Sequence, residues 1–319
     1  MHNTRLATFF LALLAALSAA KPSAADAPVR IKLGVLPSAL SAPAYIAEAD
    51  GLFTKAGLDV QVVQMSNGVA ALQAIQAGDL DGTVSASAPF VISTSRGVAI
   101  QNVYTFVQYS RQVSPEAVIV RADSSIKTLA DLRGKKVAVD SYGDLEDARL
   151  QADVLPTLGM TRKDVELVEI PWHAMEGALA HGQVDAVIPF DPTTARLRSN
   201  PQFRVVSDLR SYLPASSYPL DTIVLSDKFI TAHPEAVSKL VRALSDGVKA
   251  VLSDRKRAVA MTAKAMNANP SLVADTLNDV QYLEARPHPL AAYRAFVATL
   301  EKVHQLAPGY DVTKYLREP

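Results

Sequence analysis

The chain repeats itself once, and this repeat constrains the fold more than any other feature. The stretch AALQAIQAGDLDGTVSAS (residues 70–87) is echoed by MEGALAHGQVDAVIPFD (residues 175–191). Both contain a small-residue helix, a Gly, two further residues, an Asp and a short apolar strand. Ala74, Ile75, Gly78 and Asp81 align with Ala178, Leu179, Gly182 and Asp185. Upstream, DVQVV (59–63) aligns with DVELV (164–168), and KLGVLPS, ending at Ser38, aligns with KKVAVDS, ending at Ser141. Three blocks in one order at nearly constant spacing define two copies of strand, helix, strand, helix, strand.

Local pattern fills in the copies. Strands are expected at 31–36, 58–63 and 82–85, with helices at 42–50, stopped by Gly51, and at 68–77. Segments 103–109 and 116–121 are β-like, and SRQVSP (110–115) between them reads as a crossing to a second lobe. In the second copy a helix is expected over 145–158, ended by Gly159. A strand at 203–206, the linker LPASSYP (213–219) and the strand TIVLSD (222–227) follow. Everything after His233-Pro234 reads as helix, at 235–252, 255–267, 272–283 and 291–306. Without strands of their own, these helices should pack back on the first lobe.

The chain would then cross between lobes twice, near 112–120 and 212–222. The expected fold is α/β, with two α/β lobes joined by a two-strand hinge: 26–115 plus 220–319 as lobe 1, and 116–219 as lobe 2. Strands alternating with helices argue for parallel sheets. Ligands of such sheets sit outside the carboxyl ends of the strands. The repeat therefore places a pocket between Pro37-Ser38, Met65-Ser66-Asn67 and Ser85-Ala86-Ser87 on one side and Asp140-Ser141-Tyr142, Pro171-Trp172-His173 and Phe190-Asp191 on the other. Closing that cleft is a hinge motion.

Charge and composition narrow the function. The 319 residues carry 32 basic and 32 acidic side chains, so no long-range field points to nucleic acid. Residues 1–25 have one early Arg, an apolar run over 6–17 and then small residues, the layout of an export signal. Ser18-Ala19-Ala20 and Ser23-Ala24-Ala25 are the alternative cleavage sites, and removal leaves two more acids than bases. There is no Cys, which excludes disulfides, thiol chemistry and a lipid-modified Cys anchor. The expected address is the periplasm, and the expected state a monomer. No HExxH, P-loop, GxGxxG or GxSxG occurs, and the six His show no ligand spacing, so neither catalysis nor a cofactor or metal is expected.

The stretches GLFTKAGLDVQVV (51–63), ALQAIQAGDLD (71–81), LADLRGKKVAVD (129–140) and GQVDAVIPFDP (182–192), in this order, resemble the solute-binding proteins of ABC importers in the nitrate, sulfonate, taurine and thiamine-precursor group. The resemblance runs from about residue 31 to the helix at His233-Pro234. It implies a two-lobed periplasmic binding protein of type II that captures a small solute and delivers it to the membrane subunits of a permease. Thiamine-pyrimidine synthases resemble the same family, so an enzyme with His173 beside Trp172 is the alternative. The sensing domain of a regulator is a third reading, weakened by the lack of a DNA-binding or membrane segment.

The candidate contacts are Ser38, Asn67, Ser85 and Ser87 in lobe 1, and Asp140, Ser141, Tyr142, Trp172, His173, Phe190 and Asp191 in lobe 2. Trp172 is the only Trp, and with Tyr142 and Phe190 it offers aromatic faces at one mouth. Asp140, Asp144, Glu146 and Asp147 surround a predicted helix start, where acids answer the helix dipole. The same acids disfavour an anion there unless Arg111 or Arg149 compensates. The expected solute is neutral, amphoteric or cationic and planar, such as a pyrimidine or an amine.

Overall fold

The computed structural model of the protein describes residues 27–109, 116–212, 217–278, 280–285 and 287–318. The export segment, Arg111 and the middle of each expected crossing (110–115 and 213–216) lie outside the described residues. In the first half, β1 (Val29–Val35), β2 (Leu58–Gln64), β3 (Gly82–Ala86) and β4 (Ile100–Thr105) are followed by the short β5 (Val107–Tyr109). Next come β6 (Val118–Arg121), β7 (Lys136–Val139), β8 (Glu166–Glu169), β9 (Ala186–Val187) and β10 (Phe203–Ser207). The chain returns through β11 (Tyr218–Pro219) and β12 (Asp221–Ser226), and β13 (Gln281–Tyr282) comes late.

Two five-stranded sheets result, ordered β2-β1-β3-β12-β4 and β8-β7-β9-β6-β10, which correspond strand for strand. In each sheet the three repeated strands are parallel and the fourth runs antiparallel, having arrived from the other lobe. The repeated Asp explains part of this likeness. Asp81 Oδ2 accepts from the Lys32 N–H at 2.8 Å, while the Asp81 N–H donates to the Lys32 carbonyl at 3.0 Å. Asp185 makes the same two bonds to Lys136, each at 2.9 Å. Each Asp thus bolts the lead-in to the third strand of its copy to the first strand. Gly78 and Gly182 end the preceding helices at φ 82° and 68°, a left-handed conformation that costs Gly nothing.

The helix Pro234–Ser253 packs on β2, β4 and the helix Ala42–Ala49, Arg255–Met266 packs on that same Ala42–Ala49 helix, and Leu290–Lys302 lies against β11 and the Leu150–Val154 segment. Leu240, Leu244 and Val248 share one apolar core with Leu33 and Ile46. Leu145 and Ala148 of the second lobe also join that core, so apolar contact closes the two lobes on each other. At the hinge, β5 and β11 pair antiparallel, with Tyr218 opposite Tyr109.

Two expected elements differ. The 145–158 helix is α-helical only over Leu145–Arg149, widens over Leu150–Val154 and tightens over Leu155–Leu158. Pro156 has no N–H to continue the ladder, which forces the change. The 272–283 helix runs instead over Pro270–Asn278, and β13 follows it. Gln281 and Tyr282 pair with Gln108 and Val107 of the hinge strand, satisfying backbone groups that a helix would have left open. The final segment is therefore not wholly helical.

Candidate functional site

A cavity of about 60 Å³ lies between the lobes at the carboxyl ends of the strands. On the same measure one water needs roughly 10–15 Å³, so the walls are drawn close together. Lobe 1 and the hinge give it Leu36, Asn67, Gly68, Val69, Ala86, Pro89 and Leu220, none of which carries a charge. Lobe 2 gives it Asp140, Ser141, Asp144, Leu145, Glu146, Trp172 and Phe190. One wall is small and uncharged; the other is acidic and aromatic.

Local chain geometry positions each polar group. Asn67 caps the helix Gly68–Ala77, its Oδ1 accepting from the Ala70 N–H at 2.8 Å, a cap that does not use the amide nitrogen. Asp140, at the end of β7, accepts the Trp172 backbone N–H at 2.9 Å and so fixes the short turn that carries the indole. Asp144 caps the helix Leu145–Arg149: its two oxygens accept from the N–H groups of Asp147 at 2.7 Å and Ser141 at 3.0 Å. Glu146, 7% exposed, has an Oε1 without a hydrogen-bond partner.

Burial dominates the electrostatics. Desolvation raises Asp140, moderated by its bond from Trp172. Burial first, and then the neighbouring Glu146, pushes Asp144 up as well. Glu146 is raised to about 7 by burial and by the charge of Asp140, against the lowering effect of hydrogen bonds from its own backbone N–H and with the Asp144 carboxyl. Both oxygens of Asp144 already accept backbone N–H groups, so the proton of this pair belongs on Glu146.

Among the described residues no Lys, Arg or His lines the cavity to offset these acids. Arg149, one turn beyond Glu146, is fully buried and engaged elsewhere. It pairs with Glu116, lies 4.0 Å from Asp153, donates to the Leu209 carbonyl at 3.3 Å and stands over the Tyr218 ring at 5.9 Å. Among the described residues no cluster of side chains is arranged to hold a metal ion.

The structure brings Asn67, Asp140, Ser141, Trp172 and Phe190 together at the cavity. The other expected contacts lie outside its lining, and each has a local partner. Ser38 Oγ accepts from the Leu40 N–H at 3.2 Å, and Ser85 donates to the Ala86 carbonyl at 3.2 Å. Ser87 lies 3.5 Å from the Tyr293 hydroxyl in the core. Tyr142 is 52% exposed, donating to the Leu167 carbonyl at 2.9 Å with the Arg162 guanidinium over its ring. His173 is exposed, edge-on to Trp172. Asp191 is buried against the Ala195 N–H at 3.4 Å and lines a separate space toward Arg198 and Asp275. Asp144 and Glu146, which read as dipole partners in the sequence, are on the lining itself.

The family described as NMT1/THI5 like matches residues 39–258. A Haemophilus influenzae protein named "Putative thiamine biosynthesis protein" is 30% identical over 167 residues, 52% of this chain and 51% of that one. A Brucella abortus protein named "Putative binding protein" is 26% identical over 223 residues, 69% of this chain and 66% of that one. The chain thus spans about half the length of the first relative and just under two thirds of the second. In fold it is similar to the periplasmic aliphatic sulphonate binding protein SsuA from Escherichia coli. The TM-score is 0.75 at 19% identity, covering 92% of this chain and 93% of that one.

Proposed function

The chain belongs to the NMT1/THI5 like family, and from that premise we propose that it is the solute-binding component of an ABC importer. It captures one small organic solute per chain between lobes 26–115 plus 220–319 and 116–219, and delivers it to the membrane subunits of its permease. The periplasm is its place of work, reached through the signal in residues 1–25. The observation that carries this reading is the cavity itself, which draws its walls from the strand ends of both lobes and lies beside the hinge pair β5–β11.

The proposed contacts are Asn67 from lobe 1 and Asp140, Ser141, Trp172 and Phe190 from lobe 2, with Asp144 and Glu146 added from the geometry. A solute that touches both walls binds the closed form better than the open one. Shifting a 1:99 equilibrium to 99:1 takes roughly 5.5 kcal/mol of such differential affinity. The three carboxyl groups favour a planar solute that is neutral or positive and rich in donors, with Trp172 and Phe190 as its aromatic contacts.

The enzyme alternative required His173 beside Trp172 at the substrate. His173 is exposed and outside the cavity lining, which supports a receptor that makes and breaks no bond. Trp172 is the sole reporter of the cleft. Its emission should shift on addition of a solute that also raises the melting temperature, and a flat emission with such a solute would remove the cleft from the account.

A further inference from the structure

The buried acids of lobe 2 are more than a negative wall. Glu146 is more than nine-tenths buried, lines the cavity and leaves Oε1 without a hydrogen-bond partner. A buried carboxyl oxygen normally has a partner, and an orphan on a residue that lines a cavity marks where a donor is missing. The groups around it cannot supply that donor as a charge. Asp140 and Asp144 share the cavity lining with it, Asp147 lies one residue on, and the buried Tyr109 hydroxyl faces it from the hinge. Among the described residues lobe 1 presents no titratable side chain to the cavity, and Arg149 is committed to Glu116.

We propose that Glu146 is the charge selector of the cleft: it carries a proton in the unliganded protein and yields that proton to water when a solute cation enters. Capture of an amidinium- or ammonium-type solute then exchanges one cation for one proton. The carboxyl O–H breaks, its proton passes to solvent, and the resulting carboxylate accepts the solute's N–H. The site gains one positive charge with the solute and loses one with the proton, so its net charge is unchanged. An anionic solute has no such exchange available and meets Asp140 and Asp144 with no cationic side chain among the described lining residues to offset them. Because Glu146 is poised at about 7, affinity for the cation rises as the pH passes upward through that value. This inference rests on the reading of the cleft as a solute site.

Isosteric probes test it: benzamidinium and acetamidinium as cations, benzamide as the neutral form, benzoate and benzenesulfonate as anions. Calorimetry in two buffers of different ionisation enthalpy counts protons. The expected result is binding of a cationic probe with release of about one proton at about pH 6 and almost none at about pH 9. Glu146→Gln should weaken that probe about 100-fold and abolish the proton release. Glu146→Asp, which keeps the carboxyl group, should retain the release. Circular dichroism confirms that both variants fold.

Binding of the cation without proton release, or unchanged affinity in Glu146→Gln, overturns the proposal. Binding of benzoate, benzenesulfonate or benzamide alone overturns it too and leaves the receptor reading standing. If no probe binds, the charge of any solute retained in native mass spectrometry decides. A protein that binds no probe and retains no solute removes both readings.

Discussion

The two lobes share a frame and differ in what they show the cleft. Their first crossover helices begin at Ala42 and Leu145, 103 residues apart, the same offset that relates Ser38 to Ser141. At that offset Pro37, Ser41 and Pro43 of lobe 1 stand where lobe 2 has Asp140, Asp144 and Glu146. The Asp81 and Asp185 bolts are the same in both copies. Duplicated parts that hold strands together have stayed alike. The strand-end positions diverged, so that one wall supplies shape and the other charge and aromatic surface. Two like walls could not close on a solute cation without bringing a second set of buried acids together.

The largest effect that would sharpen this contrast lies at the next turn of the same helices, where Ile46 corresponds to Arg149. Arg149→Ala leaves Glu116 and Asp153 buried without their cation and should cost about 3–5 kcal/mol in urea unfolding. Ile46→Ala removes only apolar packing and should cost about 2–4 kcal/mol. A loss below about 1 kcal/mol in Arg149→Ala would show that the hinge does not depend on this ion pair.

A smaller effect separates the walls by pH. Glu146 is raised from 4.5 to about 7 in the folded protein. A raised carboxyl destabilises the fold as pH climbs past 4.5, and the penalty is complete above 7. Glu146→Gln should therefore be more stable than the parent by about 3 kcal/mol at pH 8, with the gain fading as pH falls from about 7 to 4.5 and absent below that. The lobe 1 cap variant Asn67→Ala should instead lose about 1 kcal/mol at every pH. Parallel pH profiles for the two variants would break the distinction between a charged and an uncharged wall.

The smallest effect tests the shared frame. Asp81→Ala and Asp185→Ala each remove one acceptor of a backbone N–H, and each should cost about 1 kcal/mol. Their costs should match within about 0.5 kcal/mol and add in the double variant. Unequal losses would mean that the two bolts do different work.

Much of the frame was legible in the sequence because the repeat carries it. Gly78, Asp81, Gly182 and Asp185 announce helix stop and strand start without knowledge of tertiary contacts, and helix 68–77 ends where the pattern says. Strand ends followed, which is why Asn67, Asp140, Ser141, Trp172 and Phe190 could be named before the cavity was seen. The apolar lining could not be read, since Leu36, Val69 and Leu220 resemble any core residue until the second lobe faces them. The hydroxyls of Ser38, Ser85 and Ser87 are drawn to nearby backbone or core partners, a competition the sequence does not display. Glu146 was hidden for a related reason: at a helix start an exposed acid and a buried one look the same, and only the fold determines which it is. Gln281 and Tyr282 were misread because their strand exists only beside β5.

The central claim is that lobe 2 selects the charge of what the cleft holds. Native mass spectrometry of freshly purified protein, followed by denaturing release of the bound solute, tests it most directly. The account predicts one small solute per chain bearing a protonatable nitrogen, lost from Glu146→Gln. A retained sulfonate, nitrate or carboxylate without a cationic centre would contradict it.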